Sequence, residues 1–138
     1  MKLILPLLLA AATPAAAAPA TTADAPKPEA RTLQQEFDEA SNAVASGDCK
    51  TAVPKFEALQ ASGSFKQGSI PWAAIVVRKG VCTVRQNRAE SDEPTMKKGL
   101  AILTEAGEAF DFDVAEGWIA LGDAAIRRYD YAGAKAAY

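Results

Sequence analysis

The run Trp118-Ile119-Ala120-Leu121-Gly122, followed by Ala134 and, one helical turn later, Tyr138, decides how this chain is read. Apolar residues three and four apart predict one face of a helix, and Tyr129-Asp130-Tyr131 supplies a turn before a second helix. Ala125 and Ala134 are small enough for the two helices to approach closely, and the Tyr138 ring fills the gap beside them. Upstream, Asp113-x-x-Glu116 has the form of a capping box and predicts a helix start at Asp113.

The same relation occurs earlier in the chain. Leu33, Phe37, Ala40, Ala43 and Val44 line one face of a helix that Gly47-Asp48 breaks, and Ala52 and Phe56 then repeat the pairing of Ala134 with Tyr138. Thr51 is the expected cap of this second helix, which places Pro54 in its first turn. A middle hairpin is expected from Pro71 through Trp72, Ile75, Val76 and Val81 to about Arg88. Its second helix is capped by Ser91, carries Asp92, Glu93 and Pro94 in its first turn, and places Gly99, Leu103 and Ala106 at small, large and small positions. Phe56, Leu103 and Trp118 are expected in the core.

These positions resemble the tetratricopeptide repeat (TPR), whose signature is W-x2-L-G followed by Ala-x3-aromatic. Gly99 to Ala134 is close to the TPR period of about 34 residues, and Ala52 to Gly99 exceeds it by about a dozen. An insertion is therefore expected around Ala61 to Pro71, Gln86 to Pro94, or both. The resemblance implies an all-α fold of antiparallel helix hairpins stacked as a short TPR-like α-solenoid, with units at about 32–60, 71–108 and 113–138. The last hairpin reads as incomplete at Tyr138. That suggests the N-terminal part of a longer TPR protein, apolar surface left open around Trp118, Ala125 and Ile126, and self-association through the unfinished repeat.

Ahead of the repeats, residues 1–20 read as a secretory signal peptide: Lys2, an apolar run from Leu3 to Ala12, and an Ala-rich stretch. Pro6, Thr13, Pro14 and Pro19 interrupt the roughly 20 apolar residues that a membrane-spanning helix needs. The reading is a periplasmic or secreted product with no membrane attachment after cleavage. Residues 21–31, rich in Pro, Ala and Thr, read as a disordered linker, and residues 32–138 as one small domain.

The formal charge is −2 with cations and anions interspersed, which gives nucleic acid no basic block to bind. Arg78, Lys79, Arg85 and Arg88 recur in one helix and read as a solvated polar face. The chain contains no His, which removes the commonest general base and metal ligand, and it has no Gly-rich phosphate loop, Ser-x-x-Lys or Gly-x-Ser-x-Gly. Ser62-Gly63-Ser64-Phe65-Lys66 reads as a loop, and Asp111 and Asp113 as capping residues. No catalytic residue, cofactor or metal is expected.

Two cysteines remain. In an antiparallel hairpin stack Cys49, opening the second helix, and Cys82, late in the third, come within disulfide reach; the alternative is two buried thiols packing as small apolar residues.

For function, the resemblance implies a concave surface lined by the first helix of each hairpin and a protein or peptide partner. The side chains expected there are Phe37, Ser41 and Val44 in the first unit and Ile119, Asp123, Ile126 and Arg127 in the third, unless they pack within their own hairpins. TPR proteins that grip a terminal carboxylate use Lys and Asn at such places. Ser41 and Asp123 stand here instead. The reading is therefore a periplasmic protein-interaction scaffold and not an enzyme. The alternative is the accessory repeat region of an exported enzyme, such as a CHAT-type caspase-like peptidase, whose catalytic domain lies outside this sequence.

Overall fold

Helices in this chain begin where a short polar side chain takes up the free amides of a first turn. Thr32 caps α1 (Leu33–Ala45) in a full capping box with Gln35, and Asp48 caps α2 (Cys49–Ala61) by accepting from the Thr51 amide at 3.1 Å. Ser69 caps α3 (Ile70–Arg85), Asp92 caps α4 (Glu93–Ala106) and Asp130 caps α6 (Tyr131–Ala137). The exception is α5 (Asp111–Arg127), which is led in by the 3-10 turn Glu108–Phe110 and has no side-chain cap. The computed structural model describes residues 31–88 and 92–138, and every regular element among them is helical.

The caps correct three expectations. Asp48, not Thr51, starts α2, so Pro54 lies inside the helix rather than in its first turn, and the Lys50 carbonyl lacks the amide it would otherwise meet. Pro54 is exposed, which leaves that carbonyl open to water. Asp92 holds the cap position of α4, while Ser91 lies outside the described residues together with the whole of the expected signal segment and most of the linker. Third, α5 begins at Asp111, so Asp113 and Glu116 lie within the helix and form no capping box.

Consecutive helices pack side by side across short connections, and α1 also packs on α3, and α3 on α5. That is the arrangement of antiparallel hairpins stacked in series, with the first helix of each hairpin forming a continuous layer. Among the described residues no helix is long and apolar enough to cross a membrane.

Helix α3 is the shared element, and its sequence shows why. One face sends Ile75 and Cys82 into a core with Ala52, Val53, Phe56 and Leu59 of α2. The other sends Val76, Val77 and Val84 into a core with Met96, Leu100 and Leu103 of α4 and with Ala120 and Leu121 of α5. Its residues from Trp72 to Val77 are all buried, the mark of a helix covered on more than one side.

Small residues set the spacings. A Cβ on Gly99 would lie 2.6 Å from a Val76 methyl and 3.2 Å from the Ala73 carbonyl oxygen, so α4 approaches α3 only because this position carries none. In the third hairpin the Tyr138 ring seats on Gly122, where a Cβ would be 2.5 Å from its Cε1. That contact joins Gly122 of α5 to the aromatic sixteen residues further on. Leu103 and Phe56 are fully buried as expected, and Trp118 is partly buried, packed against the second core.

Candidate functional site

Arg78 stands at the centre of the layer formed by α1, α3 and α5. Its Nε and Nη2 donate to the two carboxylate oxygens of Asp113, each at 2.7 Å, and its Nη1 donates to the Ser41 hydroxyl at 2.7 Å. The same guanidinium lies 5.3 Å from the centre of the Phe37 ring. Ser41 passes its own proton to the Phe37 carbonyl at 2.7 Å. With side-chain exposures of 21% and 12%, Arg78 and Asp113 have given up much of their hydration, and the bidentate geometry is what compensates them.

Two turns along α3, Arg85 pairs with Glu116, and toward α2 Lys79 donates to Gln60 at 2.6 Å. The expected solvated face of α3 is thus replaced at these three positions by links to its neighbours. The two carboxylates expected to cap α5 are the same ones that pair with α3. A single sequence cannot tell a capping spacing from a pairing spacing, since both put Asp and Glu in a first turn; the partner decides.

The Arg78–Asp113 and Arg85–Glu116 pairs form the floor of a groove of about 410 Å³ between α1, α3 and α5. Asn42, Val44 and Ala45 of α1 make one wall, with Ala109 and Phe112 opposite. Phe112 is 74% exposed, an unusual position for a phenyl ring.

Of the residues expected on a partner surface, Ser41 and Val44 line this groove. Phe37 lies beneath Arg78, packed edge-on against Phe56 at 6.4 Å and tilted against Phe65 at 6.5 Å. The third-unit residues do not line it. Arg127 donates to the Val84 carbonyl at 2.6 Å, close to the C-terminal end of α3, and Asp123 accepts from the Tyr138 hydroxyl at 2.5 Å. That hydrogen bond holds the phenol pKa above its usual value, with burial and the Asp123 charge adding to it. Ile119 and Ile126, 47% and 45% exposed, form with Phe112 a ridge along the outer face of α5. Sequence reasoning missed Asn42 and Phe112. For Phe112 the signal was its helical spacing, seven residues before Ile119; for Asn42 no spacing marked it, and only the tertiary packing brings both residues to one groove.

Cys49 and Cys82 are joined in a disulfide with their Cα atoms 5.1 Å apart, which ties the start of α2 to the later turns of α3. Both are buried against the first core. Among the described residues no group of three or more Cys, Asp or Glu side chains is arranged to hold a metal ion. Comparison with protein-family models, curated proteins and solved structures finds no match to this chain.

Proposed function

We propose that the chain is a TPR-like interaction module whose groove between α1, α3 and α5 binds a peptide segment of another protein. The observation that carries this reading is the exposed Phe112 ring facing Val44 across a groove whose floor charges are already paired. A paired floor cannot serve as a reactive group without breaking its own ion pairs, whereas an apolar side chain entering between Val44 and Phe112 removes their surface from water at no such cost. The internal disulfide suits an oxidising compartment and supports the reading of residues 1–20 as an export signal, with the interaction made in the periplasm or outside the cell.

The test is selection of a random peptide library displayed on phage against the full chain, followed by affinity measurement on groove variants. Selected peptides are expected to lose about tenfold or more in affinity with Phe112→Ala, and similarly with Val44→Asp. Peptides that bind both variants as tightly as the native chain would remove the groove from consideration.

A further inference from the structure

Resting on that groove reading, we infer that the segment it takes carries one bulky apolar side chain flanked by Lys or Arg, with its basic part at the end of the groove where α5 begins. The argument is one of charge complementarity. Arg78 touches Phe37 and Ser41 on α1 and Asp113 on α5, so these residues lie at one level of the layer. Asp38 follows Phe37 directly, and Glu108 and Asp111 come just before Asp113; all three are exposed.

Three carboxylates are therefore carried near the same end of the groove, Asp38 on the face of α1 that also carries Ser41 and Ala45, and Glu108 and Asp111 beside the start of α5. Three of the neighbouring cations are engaged elsewhere. Arg31 and Lys55 both engage Glu39, and Arg78 is committed to Asp113. Among the described residues Asp38 accepts from the Gln34 amide, at 2.8 Å, a neutral donor that brings no opposite charge. The floor is neutral, one wall presents Phe112, and the rim at this end is negative. A ligand with an apolar anchor satisfies the middle, and a cationic flank satisfies the rim, whereas an acidic flank is repelled.

The experiment uses the same phage library against three forms of the full chain: native, a charge-reversed form (Asp38→Lys, Glu108→Lys, Asp111→Lys) and a neutralised form (Asp38→Asn, Glu108→Gln, Asp111→Asn). The neutralised form guards against a folding defect in the reversed one, and circular dichroism checks both. The native chain is expected to enrich an apolar residue flanked by Lys or Arg. The neutralised chain should lose the basic flank, and the reversed chain should enrich Asp or Glu instead. Native-selected peptides should bind the neutralised form about tenfold more weakly at low salt, a difference that shrinks as salt is raised.

A native consensus that is uncharged or acidic, or one that stays the same across the three forms, overturns the basic-flank inference. If those peptides still weaken with Phe112→Ala and Val44→Asp, the groove reading stands without it. If they do not weaken, both readings fall.

Discussion

The two cores on either side of α3 are held by different means. On the α2 side a disulfide and three phenyl rings, Phe37, Phe56 and Phe65, join one hairpin to the next. On the α4 and α5 side there is no covalent tie; aliphatic side chains interlock around Gly99, and ion pairs from α3 reach α5. Among the described residues the first hairpin packs against one neighbouring hairpin, and a cross-link limits the entropy it gains by detaching. The middle of the stack is covered from both sides and depends instead on close fit. Similar stacking is thus reached by a tether at one end and by complementarity in the middle.

The largest effect is expected from Phe56→Ala, which empties the centre of the first core at a cost of about 3–5 kcal/mol. Urea denaturation measures the loss. Amide hydrogen exchange should show α1 and α2 losing protection before α4 and α5, and uniform loss would mean that the two cores form one cooperative unit.

Replacing both Cys49 and Cys82 by Ala opens a loop with a sequence separation of 33 and should cost about 3–4 kcal/mol in the chain-entropy model. The same exchange pattern is expected, again confined first to α1 and α2. A loss centred on α4 or α5 would contradict the tether.

Gly99→Ala probes the other core and should cost about 1–3 kcal/mol by overpacking. Adding Val76→Ala takes away the methyl that the new Cβ meets, so the double variant should lose less than the sum of the two single ones. Simple additivity would show that the contacts with the Val77 methyl and the Ala73 carbonyl, at 3.0 and 3.2 Å, set the spacing instead.

The smallest effect is at the helix caps, which both regions share. The Thr51 hydroxyl, and then its amide, hold the Asp48 carboxyl below its ordinary value, and Thr95 does the same for Asp92. A lowered folded-state value means that the stabilisation is present above the unfolded carboxyl value near 4 and is lost as pH falls through the folded one. Asp48→Asn and Asp92→Asn should each flatten the acid limb of a stability-against-pH curve, leaving the neutral region little changed because Asn also caps well. An acid limb as steep as that of the native chain would show that other carboxylates govern it.

Much of the architecture was legible before any coordinates. Helical spacing located the six helices, Gly47-Asp48 and Tyr129-Asp130-Tyr131 marked two of the turns, and Ala52, Gly99 and Ala134 were the small residues at the hairpin contacts; all three are buried. The site was less legible. Ser41 and Val44 belong to the groove, but Ile119 and Ile126 lie along the outer ridge of α5, while Asp123 and Arg127 are engaged by Tyr138 and the α3 carbonyl.

What the sequence determined by itself is therefore local: where helices start and stop, and which face of each is apolar, because capping and periodicity act within a few residues. What only the tertiary structure decided is which charged groups meet. Asp113 and Glu116 have the spacing of a capping box, and Arg78 and Arg85 the composition of a solvated face. Each reading was locally sound, and each gave way because α3 and α5 pack with these side chains opposed. Partly buried charges require partners, and in a stacked fold those partners come from helices distant in sequence.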